Sequence, residues 1–201
     1  MTGVAQLSFF SADLVEPAVA DLAGVLAAHG QLVTSGGTAR ISVVVDAPWR
    51  AAALAVLARE CGVPAETATS EEGSPLVRTA ACAELVTLGA TWTKGAVKTV
   101  PAGFTPGARA VRAWALTAGR CDDVGYLLGL DPHAVDTHEP LGGALSRAGM
   151  AATLLGVRGG GPALRVSGRR RLLRLVETVG DPPAQAPVRG SWPEVVGDHR
   201  E

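Results

Sequence analysis

The chain has no run of 18 apolar residues, so no segment is predicted to span a bilayer as a helix. It also lacks a basic stretch at its start. Met1 to Phe10 is uncharged and Asp13 and Glu16 follow at once, so no signal peptide is predicted and a cytoplasmic protein is expected. Only three cysteines occur, Cys61, Cys82 and Cys121, far apart and with no CxxC. Neither a disulfide framework nor a zinc site is indicated, and the three read as buried thiols. An excess of either charge is missing too: the net charge is −1, which argues against a uniformly basic nucleic-acid binder. Lysine is scarce, since sixteen of the eighteen basic residues are Arg. With so much Ala and Gly, that bias reflects GC-rich coding as much as function.

What is present is a core. Apolar residues make up 47% of 201 residues, enough for one well-buried domain or two small ones and too many for wholesale disorder. The charge is uneven. Residues 1–100 hold six basic and nine acidic side chains, and residues 101–201 hold twelve and ten, so the halves carry −3 and +2.

Ser11 or Asp13 is placed to cap a helix whose apolar residues Val15, Val19, Leu22, Val25 and Leu26 recur at helical spacing up to Ala28, with Pro17 in its first turn and Gly30 as its stop. Gln31–Thr34 and Arg40–Val45 flank Gly36-Gly37 and predict a hairpin. A helix from Pro48 to about Cys61 stops at Gly62. Val63–Ser70 and Leu76–Thr79 predict a second hairpin, and a helix from about Ala80 to Leu88 closes the unit at Gly89. Thr91 to Pro106, rich in Gly and Pro, reads as a connector.

The order then starts again. Ala108–Ala118 predicts a helix, Tyr126–Leu130 a strand, Glu139–Ala148 a helix and Ala151–Val157 a strand. A Gly159-Gly160-Gly161-Pro162 turn, a strand through Arg165 and a helix to Val179-Gly180 follow. Asp46-Ala47-Pro48 and Asp131-Pro132 end corresponding strands. Gly62, Pro75 and Arg78 lie at offsets of 0, 13 and 16, and Gly149, Pro162 and Arg165 repeat them, which predicts an internal duplication. The expected organisation is a first repeat at 1–92, a connector at 93–107, a second repeat at 108–180 and a loose tail at 181–201 with four prolines, in which Trp192 is the residue able to pin it. The fold class is α+β, two tandem αββαββα repeats.

Leu22-Ala23-Gly24-Val25-Leu26-Ala27-Ala28-His29-Gly30 resembles the helix that names the LAGLIDADG fold. It keeps the leading Leu-Ala-Gly, Ala28 and Gly30, with Ala27 and His29 where the motif carries carboxylates. Ala23, Gly24, Ala27 and Ala28 are small enough to let two helix backbones approach closely. The duplicated order from about residue 8 to 180 fits a pseudo-twofold LAGLIDADG monomer, shaped as a saddle. A narrower resemblance is to the LAGLIDADG-derived part of the WhiA family of bacterial sporulation regulators. It runs through Ser8-Phe9-Phe10-Ser11-Ala12, Leu26 to Leu32, Ala52–Gly62, Arg78 through Leu88-Gly89-Ala90, and Val111 to Gly119, in that order. Members of that family carry a helix-turn-helix after the repeats. A Pro-rich tail stands there in this sequence, so that DNA-reading element is not expected.

The resemblance implies two functions to choose between. LAGLIDADG nucleases place a carboxylate at the end of each central helix, and the pair holds divalent metal beside the scissile phosphates. Here those positions read His29 and Gly119, followed by Arg120, with Asp122 and Asp123 past the helix. No enzyme activity, metal or cofactor is expected. His29 reads as a helix-end residue favoured by the dipole, as a hydrogen-bonded residue at the helix pair, or as a phosphate contact; His133, His138 and His199 lack ligand spacing for a metal.

The implied alternative is binding of double-stranded DNA by the outer face of the strands. The candidates are Gln31, Thr34, Arg40, Ser42 and Arg78 from the first repeat and Arg120, Tyr126, Arg158 and Arg165 from the second, with Glu66, Glu71 and Glu72 diluting the charge. Arg169-Arg170-Arg171 and Arg174 form the densest basic cluster, at a helix start where cations oppose the macrodipole. They read as a solvated helix face, or as a contact to DNA phosphate or to an acidic protein. The competing function is a degenerate repeat module that binds a protein partner or a second copy of itself. The DNA reading requires the arginines to gather on the sheet.

Overall fold

The structure is a computed structural model that describes residues 11–156, 158, 161–187 and 190–194. Leu7–Phe10 of the predicted opening, Val157, Gly159 and Gly160 of the predicted strand and turn, and His199 in the tail lie outside the described residues.

The first repeat runs α1 (Ala23–Ala27), β1 (Gln31–Ser35), β2 (Thr38–Val44), α2 (Pro48–Glu60), β3 (Ala65–Thr69), β4 (Pro75–Thr79) and α3 (Glu84–Trp92). A small hairpin follows, β5 (Thr93–Lys94) and β6 (Val97–Lys98). The second repeat runs α4 (Ala108–Ala118), β7 (Gly119–Asp122), β8 (Gly125–Gly129), α5 (His138–Arg147), β9 (Thr153–Leu155), β10 (Ala163–Ser167) and α6 (Arg169–Val179). The two four-stranded antiparallel sheets have matching orders, β1-β2-β4-β3 and β7-β8-β10-β9, so the duplication extends to strand pairing.

Several boundaries differ from expectation for local reasons. The first helix is short. Ala12–Leu14, capped by Ser11, and Val19–Leu22 form separate 3₁₀ turns on either side of Pro17, because Asp21 accepts the Ala18 N–H at 2.8 Å and sets a new helix start. The third helix starts at Glu84, not Ala80. Ala39 and Cys82 exchange both backbone hydrogen bonds (2.9 and 3.0 Å), and Ala80 donates to Pro64 at 2.7 Å, which holds that stretch extended. The sequence reading contains no strand at β7. It pairs with β8 from Gly119↔Leu128 to Asp122↔Gly125, and Asp122 folds the turn by accepting from the Val124 and Gly125 N–H groups at 3.0 and 2.7 Å.

The two central helices pack α1 against α4 at the middle of the core. Gly24 makes this possible: a Cβ there would lie 1.9 Å from the Ala110 carbonyl oxygen and 2.8 Å from the Trp114 nitrogen. Trp114 is fully buried beside it and donates its indole N–H to the Gly129 carbonyl at 2.8 Å.

The described part of the tail is seated on the second repeat. The Cys121 N–H donates to the Gly190 carbonyl at 2.9 Å, extending the hydrogen bonding of the β7 edge, and the Tyr126 hydroxyl donates to Ser191 at 3.2 Å. Trp192 is buried, donates to the Gly180 carbonyl at 2.9 Å and packs its ring 5.2 Å from the Arg112 guanidinium.

Candidate nucleic-acid interface

Strand alternation sends one set of side chains to the helices and the other outward. In the first sheet Ile41, Val43 and Val77 are buried on the helix side. On the outer side, pairing lines up one residue from each strand: Gln31 opposite Ser42, Ser42 opposite Arg78, and Arg78 opposite Glu66. In the second sheet the corresponding row is Arg120, Leu127, Arg165 and Thr153. Arg78 and Arg165 therefore occupy the same place in the two repeats.

One step further from the centre, the first repeat pairs Val33 with Arg40, and the second pairs Asp122 with Gly125. The difference matters electrostatically. Arg165 is held by Asp122, Nε to Oδ2 at 2.7 Å, while Arg78 makes no ion pair among the described residues. Arg40, Arg78 and Glu66 line a groove of about 460 Å³. Arg40, Arg78, Arg120 and Arg165 thus gather on the outer face against Glu66 and Asp122, an excess of two positive charges.

Two predicted candidates are elsewhere. Tyr126 is buried, because it pairs with Cys121 and Val166 on the helix-facing side of β8, where burial also pushes its phenol pKa up. Thr34 pairs with the buried Ala39, so its side chain points toward α3, where its hydroxyl would meet a Cβ on Gly89 at 3.2 Å. Arg158 is exposed in the loop between β9 and β10.

Between the sheets lies a cavity of about 470 Å³, lined by His29, Asp46, Ser74, Thr117, Arg120 and Gly161 among others. The C-terminal ends of both central helices meet here, and each is capped by a cation of the chain. Arg50, buried, donates to the carbonyls of Ala115 (2.8 Å), Leu116 (3.1 Å) and Gly119 at the end of α4, and its Nε pairs with Asp46 at 2.8 Å. At the end of α1, the Lys98 ammonium donates to the Ala28 carbonyl at 3.0 Å and to Asp131 at 2.7 Å. Asp131 also accepts from Gln31 at 3.0 Å and from the His133 N–H at 3.0 Å. Nothing in the sequence pattern pointed to Lys98 or Arg50 as caps. The traceable signal was the matched pair of strand-ending aspartates, Asp46 and Asp131. His29 is hydrogen-bonded, though to a strand and not across the helix pair: its Nε2 donates to the Val44 carbonyl at the end of β2 at 2.7 Å.

The fold is LAGLIDADG-like. Among solved structures, the chain is similar to the homing endonuclease I-WcaI bound to its DNA recognition sequence, with a TM-score of 0.56 and 12% identity over 79% of this chain and 78% of that one. No protein-family profile matches the chain, and no curated protein does.

The donors at the helix ends do not fit a divalent metal ion. Mg²⁺ and its relatives need several oxygen anions at one point. Asp46 is paired to Arg50, and Asp131 is surrounded by Lys98, Gln31 and a backbone N–H. A positive side chain already sits on the terminal carbonyls of each helix, where a second cation would be repelled.

Burial alone would raise the Asp131 carboxyl, but the Lys98, His133 and Gln31 contacts outweigh it and hold its pKa below the ordinary carboxylate value. Its folded pKa is therefore lower than the unfolded one. The stability it contributes is complete above the unfolded value of about 4 and is lost as pH falls through the depressed folded value. Urea unfolding between pH 6 and 3 is expected to show a declining acid limb, and Asp131→Asn is expected to flatten it. An unchanged slope in the variant would assign that limb to other carboxylates.

Proposed function

We propose that the protein binds double-stranded DNA along the outer face of its two sheets and leaves it uncut. The observation that carries this reading is the pair of equivalent rows, Gln31-Ser42-Arg78-Glu66 and Arg120-Leu127-Arg165-Thr153, with an arginine at the same point of each repeat. Arg40, Arg78, Arg120 and Arg165 supply phosphate contacts, while Ser42 offers its hydroxyl and Gln31 its amide oxygen to base edges, the Gln31 amide nitrogen being bonded to Asp131 and to the His29 carbonyl. The DNA-bound state of the I-WcaI structure adds support, since that protein shares the fold.

The absence of cleavage is argued from the helix ends. In nucleases of this fold a metal neutralises charge at the scissile phosphates, whereas here Lys98 and Arg50 direct their charge to carbonyls and to Asp131 and Asp46. The WhiA-type resemblance extends the proposal to transcription regulation tied to sporulation and cell division, in the cytoplasm.

Binding of a labelled generic duplex across a salt series, with and without Mg²⁺, tests the reading. The wild type is expected to bind more weakly as salt rises and to yield no cut strand. An Arg40/Arg78/Arg165→Ala protein should bind roughly 30-fold more weakly at low salt, its salt slope reduced by about 0.9 for each phosphate no longer neutralised. Equal binding by the two proteins, or no binding by the wild type, would overturn the saddle as the DNA surface. The second outcome would favour the protein-interaction module.

A further inference from the structure

We infer that the corner where α5 ends and α6 begins is a second phosphate-binding surface, which holds the duplex beyond the end of the second sheet. This rests on the DNA reading above. A groove of about 570 Å³ there is lined by Arg147, Gly149, Arg170, Leu173, Arg174 and Glu177. Three arginines thus line the groove with one glutamate, and Arg169 and Arg171, both exposed, stand beside it in the same helical turn.

Helix energetics does not account for this cluster. Arg169, Arg170 and Arg171 form the first turn of α6, where the macrodipole is positive, and the helix starts from Gly168 with no side-chain cap and no acid in that turn. The matching corner of the first repeat is built differently. There α2 ends in Arg59-Glu60, with Glu60 paired to Arg109 at 2.6 Å, and α3 carries Glu84 in its first turn. The arginine cluster therefore has no counterpart at the equivalent corner, and the basic corner is a property of the second repeat alone.

Its position fits an extended duplex. β10 runs outward from the central cavity, which Pro162 lines, to Ser167, and α6 starts there. α5 likewise runs from His138, bonded to the Asp131 carbonyl, out to Arg147. Arg147 is fixed by bonds to the Phe104 carbonyl at 2.6 Å and the Thr105 hydroxyl at 3.4 Å, which holds its side chain at the groove. The corner sits one layer behind the outer face, at the tip. It meets only DNA that continues past the sheet and bends toward the helices.

Two duplex lengths separate the surfaces. A duplex of about 10 base pairs, roughly 34 Å long, covers two five-residue strands end to end at ~3.3 Å per residue, and one of about 30 base pairs runs past the tip. An Arg169/Arg170/Arg171/Arg174→Ala protein is expected to bind the short duplex like the wild type and the long one about tenfold more weakly, with a shallower salt slope on the long duplex only. Its thermal midpoint should be unchanged or higher, because the first turn loses like-charge repulsion; this checks folding. Equal loss on both lengths, or none on either, would overturn the corner while leaving the saddle intact. Failure of the wild type to bind either duplex would overturn the saddle and the corner with it.

Discussion

A Gly24→Val protein is expected to unfold about 10 °C below the wild type, a loss of about 3 kcal/mol for a chain of this size. The reason is backbone against backbone. A Cβ at Gly24 lies 1.9 Å from the Ala110 carbonyl oxygen, an atom that cannot rotate away, so α1 and α4 must move apart. Trp114, fully buried beside the contact, then loses packing, and its bond to the Gly129 carbonyl lengthens. Gly36→Ala is the control. That glycine has φ +57 and open space around it, so the change costs only about 1 kcal/mol of local strain. Thermal melts followed by tryptophan fluorescence compare the two. Similar melting temperatures for both would show that the helix pair tolerates separation.

Arg50→Met should cost about 2 to 3 kcal/mol, because it takes a charged donor from three buried carbonyls, while the mostly exposed Asp46 carboxylate returns to water. The Ala115, Leu116 and Gly119 carbonyls lose their donor, and Asp46 loses its cation. Methionine keeps much of the volume, so the loss reports the charge and its hydrogen bonds. Arg50→Lys should recover only part of it. A single ammonium cannot match a fork that reaches three carbonyls and a carboxylate, and it gives up the stacking on Trp49, whose ring lies 4.6 Å from the guanidinium. Urea denaturation measures both. A cost under about 1 kcal/mol for Arg50→Met would mean that water replaces the guanidinium at the end of α4.

Much of the fold was readable because the repeat carries its own control. Gly62 and Gly149, both at positive φ after a helix, and the Arg78/Arg165 match align the halves without reference to any other protein. β7 was not readable. Gly119-Arg120-Cys121-Asp122 has no β-branched residue and begins with a glycine that looks like a helix stop; it is a strand because it pairs with β8, and its glycine is there because the Tyr126 hydroxyl and the Ala115 carbonyl leave no room for a Cβ. Tyr126 and Thr34 were misassigned through register. One step along a strand exchanges the helix side for the outer side, and only pairing with Cys121 and Ala39 shows which side each faces. Lys98 and Arg50 were missed because they act across the chain, Lys98 from the hairpin between the repeats and Arg50 from a helix start, and both look like surface residues in sequence.

The contact between Asp13 and Asp181 has a mechanical consequence. The two repeats are joined covalently through β5 and β6. They are joined again where the Asp181 N–H donates to the Asp13 carboxylate at 3.2 Å and where the Arg109 and Arg112 side chains of α4 pair with Asp21 and Asp13. These contacts lie over the buried α1–α4 packing that both halves share, so neither half can detach without exposing that common core. Heat or denaturant should therefore melt the pair as a closed ring, in one step.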